Sequence, residues 1–136
     1  MTENYEHAVS NAKAWFEEIR DAYRLQDATA DGKESEQALD RMREAPLSVE
    51  VRGGWHTAGA EIVGNDAAEY VVLLSTGGPA LRVWGEIGRY SEPENAQLQM
   101  QDWGVPWLEV WPCSVEEMDE ARDALLWFAG LFYYGE

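Results

Sequence analysis

One cysteine in 136 residues, Cys113, excludes an internal disulfide and gives no reason to place the chain in an oxidising compartment. Histidine is nearly as scarce. His7 and His56 stand far apart, and with one thiol they fall short of the four closely paired ligands that a structural zinc takes. Basic side chains number 10 against 26 acidic ones, a formal net charge of −16. Such a chain is repelled by nucleic acid and by anionic lipid, so direct binding to either is not expected. A long hydrophobic run is missing too. The apolar stretch at 125–134 is too short to cross a bilayer, and the opening MTENYEHAV has no basic segment leading into an apolar one. Together these absences predict a soluble, cytoplasmic protein that uses no metal and no cofactor.

What is present is material for an ordered core. The 46% hydrophobic and 12% aromatic content is incompatible with a disordered acidic tail. At roughly 150 residues per domain, the length predicts one domain. Charge is spread along the chain, with eleven acids to six bases through Pro46, nine to three from Leu47 to Cys113, and six to one after it. Most of the folded surface is therefore negative, and its natural partners are basic surfaces.

Hydrophobic periodicity divides the chain in three. Over 3–26 the apolar positions Tyr5, Ala8, Val9, Ala12, Trp15, Phe16, Ile19, Ala22 and Tyr23 recur at the three-and-four spacing of one helical face. Turn residues at 27–32 end that helix. A second, over 33–44 with Leu39 and Met42 as its stripe, stops before Pro46, which pushes its predecessor out of helical geometry. Residues 1–46 thus read as a helical hairpin. From Leu47 the period becomes two, with Leu47, Val49 and Val51 alternating with polar residues as in a half-buried strand. Strands are predicted at 69–76, 80–87 and 96–102, with a fifth extended piece at 107–111. Short connections favour an antiparallel meander over 47–111. Ser114 and Glu117 form a capping-box pattern. Val115, Met118, Ala121, Leu125, Phe128, Ala129 and Phe132 then predict a helix over 114–135, packed on the sheet. The expected architecture is α+β, with an N-terminal helical hairpin, four or five antiparallel strands and a C-terminal helix.

No motif names a reaction. Trp103, Trp107 and Trp111, four residues apart, suit an aromatic row, but packing over the open side of the sheet explains them more simply than base stacking, which wants a basic groove. Gly53-Gly54-Trp55-His56 and Ser75-Thr76-Gly77-Gly78-Pro79 are glycine-rich, yet neither carries the lysine of a phosphate loop, and tight turns account for the glycines. One alternative reading is a small-molecule or hydrolytic pocket near Trp55, His56 and the turn from Ser75 to Pro79, with His56 as general base. Cys113, just before a helix start, sits where a thiol pKa can fall. Charge carries the stronger signal. Glu116, Glu117, Asp119, Glu120 and Asp123 form an acidic ridge on the last helix, and Glu17, Glu18 and Asp21 form a second on the first. First-turn acids also favour the helix dipole, which accounts for part of the run. Carboxylates on rigid helices can stand in for successive phosphates and draw a basic groove by steered association.

The strings LSVEVRGGWHT at 47–57, EY through STGGPA between 69 and 80, QDWGVPW at 101–107 and FYYGE at 132–136 resemble a family of small phage- and plasmid-borne proteins over roughly 44–136. The resemblance brings no catalytic residue with it. In size and acidity the chain is also similar in type to anti-CRISPR and anti-restriction proteins. The resulting expectation is a non-enzymatic inhibitor working in the host cytosol. Its partner-binding residues would be Glu17, Glu18, Asp21, Glu116, Glu117, Asp119, Glu120 and Asp123, set against a basic nucleic-acid-binding protein such as a CRISPR effector. An interaction module of a larger complex, including a homodimer through exposed aromatics, is a further alternative.

Overall fold

The computed structural model describes residues 2–27, 32–53, 67–76, 79–88, 91–102, 106–132 and 134. Trp55, His56, Gly54, Gly77, Gly78 and Trp103 lie outside the described residues. Helix α1 (Thr2–Asp27) and helix α2 (Gly32–Glu44) precede five strands, β1 (Ser48–Gly53), β2 (Ala67–Ser75), β3 (Ala80–Glu86), β4 (Gln97–Gln101) and β5 (Leu108–Glu109). A 3-10 turn (Val115–Glu117) leads into helix α3 (Met118–Ala129). The strands form one antiparallel sheet in chain order, β1-β2-β3-β4-β5, as the α+β meander reading expects.

Side-chain alternation assigns the two faces of this sheet. Tyr70, Val72 and Leu74 of β2, Leu81 and Val83 of β3, and Leu98 and Met100 of β4 point into one core. There they meet Ala8, Ala12, Phe16 and Ile19 of α1 and Ala121, Leu125 and Phe128 of α3. From α2 the core takes Ala38 and Met42, while Leu39 stays half-buried. Trp15, expected inside with Phe16, is half-buried as well, because it flanks the stripe that Phe16 and Ile19 centre. A bulge between Leu73 and Ser75 shifts the β2–β3 register at one end.

Three expectations are corrected. Leu47, Val49 and Val51 alternate as predicted, yet all three are exposed. The helices lie over β2, β3 and β4, so β1 projects beyond their cover. Val115, expected on the apolar stripe, is exposed because the segment begins as a 3-10 turn, which rotates it off the α-helical phase. The last helix ends at Ala129 rather than near Gly135. Gly130 caps it through its N–H to the Leu126 carbonyl, and Tyr134 donates its hydroxyl to the Ala129 carbonyl at 2.7 Å. Tyr134 thereby packs on Tyr70, with ring centroids 4.9 Å apart. The chain turns back because its last aromatic has a place beneath the sheet.

Candidate functional site

Helices α1 and α3 lie side by side, and this decides where the acidic ridges go. Tyr23 meets Trp127 with ring centroids 5.9 Å apart, and the next residue, Arg24, grips Glu120 through two hydrogen bonds of 2.6 and 3.0 Å. The pair holds Arg24 above its ordinary pKa, through the Glu120 hydrogen bond first, with the charges of Glu120, Asp21 and Glu117 adding to it. Arg20 likewise helps depress Glu117 and Glu120, behind the larger hydrogen-bond effects of Ser114 and Arg24. Asp21 from α1 and Glu117 and Glu120 from the last helical segment therefore gather about two arginines. These three acids, one from the first ridge and two from the second, share one face.

That face is partly engaged internally. Glu120 is held by Arg24, and Asp21 pairs with Arg20 at 3.2 Å. Asp119 lies 3.9 Å from Arg122. The expected capping box is present: the Ser114 side chain meets the Glu117 backbone N–H, and the Glu117 carboxylate accepts from both the Ser114 N–H and the Ser114 hydroxyl. Glu17, Glu18, Glu116 and Asp123 make no ion pair among the described residues. These four, with the outer side of Asp119, carry the outward negative potential.

A groove of about 430 Å³ continues this face around the sheet edge. Asp123 of α3 lines it together with Trp84, Glu86, Glu94, Glu109 and Trp111. Trp111 donates its indole N–H to Glu109, and the Arg122 guanidinium sits 5.8 Å from the Trp111 ring. Aromatic walls with carboxylates at the rim suit a cationic side chain, through ring-face attraction and charge together.

The sheet face turned away from the helices carries a different group, which the sequence reading missed. Arg82 lies 4.1 Å over the Trp107 ring and donates Nε–H to Gln99 at 2.7 Å. Burial lowers its pKa, against the opposing pull of Glu69. On the neighbouring strands Arg52 and the Trp84 indole both donate to Glu69. Those bonds hold the Glu69 carboxyl below its ordinary value, Arg52 contributing most. The stabilisation is present at neutral pH and is lost as pH falls through the depressed value. Alternation of Arg82, Trp84 and Glu86 with the buried Leu81 and Val83 was the available signal, but only cross-strand register shows that Glu69 and Gln99 stand beside them.

Other candidates resolve differently. Ser75 accepts from the Asn11 side chain at 2.8 Å and faces the Pro79 carbonyl at 3.4 Å, so it ties α1 to the end of β2. Its proposed partners Trp55 and His56 are outside the described residues. Burial, then the Glu117 charge, pushes the Cys113 thiol up, the reverse of the lowering its place before a helix suggests. Its Sγ lies 3.6 Å from Met118 Sδ. Alkylation of Cys113 at neutral pH should be slower than that of a free thiol, and Cys113→Ser should fold like the parent. Rapid labelling in a timed iodoacetamide assay would contradict this placement. No cluster of metal ligands occurs among the described residues, and none of their helices is long and apolar enough to cross a membrane. Comparison with protein-family models, curated proteins and solved structures finds no match.

Proposed function

We propose that this chain is a non-enzymatic counter-defence inhibitor, acting in the host cytosol and borne by a phage or other mobile element. It would occupy the nucleic-acid-binding groove of a defence complex, such as a CRISPR effector, by presenting acidic, DNA-mimicking faces. The observation that carries this reading is the side-by-side packing of α1 and α3, which brings Asp21 of the first ridge together with Glu117 and Glu120 of the second. Packed helix axes lie about 8–10 Å apart, between the roughly 6 and 12 Å widths of the DNA grooves, so two rows of carboxylates can follow two phosphate strands. Along each helix, residues four apart rise about 6 Å. The acid-rimmed groove beside Asp123 offers a seat for an arginine or lysine of the partner.

Reversal of charge tests the reading. Glu17→Lys with Glu18→Lys alters the α1 row, Asp21 being kept because it pairs with Arg20, and Glu116→Lys with Asp123→Lys alters the α3 row. Glu120 is left intact, since its reversal would set a lysine against Arg24. Glu34→Lys with Glu36→Lys on α2 is the control, because Glu94 lines the groove beside Asp123 and is not neutral ground. Protection of a phage from restriction or CRISPR targeting, and binding to the purified complex, should fall for either ridge pair and persist for the control. Raising salt from about 0.05 to 0.3 M shortens the screening length from roughly 14 to 6 Å, so association should slow. Equal losses for all three pairs would reduce the effect to net charge and sink the mimicry reading.

A further inference from the structure

We propose that the outer edge of β1 joins a second copy of this chain, antiparallel about a two-fold axis at Val51, to make a continuous ten-stranded sheet. This does not rest on the inhibitor reading, and it uses the opposite edge of the sheet from α3. Among the described residues β1 pairs with β2 alone, and no other described strand lies along its outer edge. The Leu47 N–H donates to the Leu73 carbonyl at 2.8 Å. The Ile87 N–H donates to the Ala68 carbonyl at 2.9 Å, so along β2 the backbone groups of Tyr70 and Val72 turn to β3 and those of Glu69, Val71 and Leu73 turn to β1; their partners Ser48, Glu50 and Arg52 therefore face β2, and the groups of Val49 and Val51 point outward. An unpaired edge of this kind is a template for another strand.

Side chains choose the occupant and the register. Outward-pointing residues must pair with outward-pointing residues, so odd positions face odd positions, and even ones even ones, across the axis. An axis at Glu50 sets two glutamates against each other, and one at Arg52 sets two arginines together. An axis at Val51 places Glu50 opposite Arg52 of the second copy, twice, while Val51 exchanges backbone hydrogen bonds with its own copy and Val49 with Gly53. Like charges directly opposite are destabilising and opposite ones favourable, so only the last register is complementary. Arg52 has the capacity. It uses Nη2 alone for both Glu69 oxygens, at 2.9 and 3.0 Å, and its side chain is 77% exposed. On the helix side, Val51 (41% exposed) would meet its own copy, and Val49 (36%) would lie beside Gly53 of the second copy. Apolar surface that the helices leave uncovered would then be buried. Both helical layers, each with its acidic face, would stand on the same side of the joined sheet.

Sedimentation of the whole chain at high micromolar concentration should give twice the 15.4 kDa monomer mass. Because two chains of charge −16 repel, the dimer should strengthen as salt rises, opposite to the behaviour expected for capture by a basic groove. Val51→Pro removes an outward N–H that β2 does not use, and Glu50→Lys sets a lysine against Arg52. Each should give a folded monomer, and E50K serves if the proline disturbs folding. In a Cys113→Ser background, Val51→Cys should cross-link between copies on mild oxidation, since facing residues at that axis have Cα atoms about 5.5 Å apart. Val49→Cys should not, its copies being roughly 13 Å apart along the strands. A monomer at every salt concentration, a dimer that survives both Val51→Pro and Glu50→Lys, or cross-linking of V49C without V51C would each overturn the proposal. Inhibition lost while the dimer persists would instead count against the inhibitor reading alone.

Discussion

Replacing Phe128 with alanine is expected to lower stability by about 3–5 kcal/mol, the cost of removing a buried aromatic and leaving the space unfilled. Phe128 is fully buried where α3 meets the sheet, and its ring stands edge-to-face to Phe132 at a centroid distance of 5.3 Å. Its neighbours Ala121, Ala124 and Ala129 are too small to close over the gap. For a chain of this length the loss corresponds to a fall in Tm of about 10 °C or more. Urea unfolding with an unchanged slope and a lower midpoint would attribute it to the native state. A midpoint equal to the parent's would mean that α3 does not dock through this face.

Gly85→Ala is expected to cost about 1–3 kcal/mol or more, although it adds one methyl group. Gly85 on β3 stands opposite Tyr70 on β2. A Cβ there would lie 2.1 Å from the Asn95 carbonyl oxygen and 2.5 and 2.6 Å from Oη and Cε1 of Tyr70. Tyr70 crosses that bare backbone to donate its hydroxyl to the same Asn95 carbonyl, fully buried, with burial raising its pKa. A methyl group at 85 must displace either the ring or the 95 carbonyl, and displacing the ring also disturbs its packing on Tyr134. Tyr70→Phe keeps the ring and loses the hydrogen bond, a cost nearer 1 kcal/mol. Chemical denaturation measures both, and near-UV circular dichroism follows the two tyrosines. A Gly85→Ala variant as stable as the parent would refute the close approach.

Periodicity made most elements legible, since it records which positions each element turns inward. The α1 stripe from Ala8 to Ala22 and the α3 stripe from Ala121 to Phe128 needed no knowledge of partners. Alternation in β3 and β4 was equally plain, and β2, apolar on both faces, read as a central strand. Alternation failed at β1, because it reports which side a residue faces, and cover on that side depends on where the helices lie. Gly85 looked like any strand glycine until Tyr70 was seen crossing it.

Local pattern determined the α+β class, the antiparallel order of the strands, the buried stripes and an acidity that turns the chain toward basic partners. These follow from residue-by-residue period, turn chemistry and charge, which act over a few positions. Tertiary structure decided the rest: that the ridges of α1 and α3 meet around Arg20 and Arg24, that Arg82 lies over Trp107 beside Glu69, and that Val49 and Val51 stay exposed at a free edge. Each depends on residues distant in sequence, Arg24 and Glu120 standing 96 positions apart. Sequence spacing carries no trace of such a pair, because packing of the elements, and not the chain between them, sets the distance.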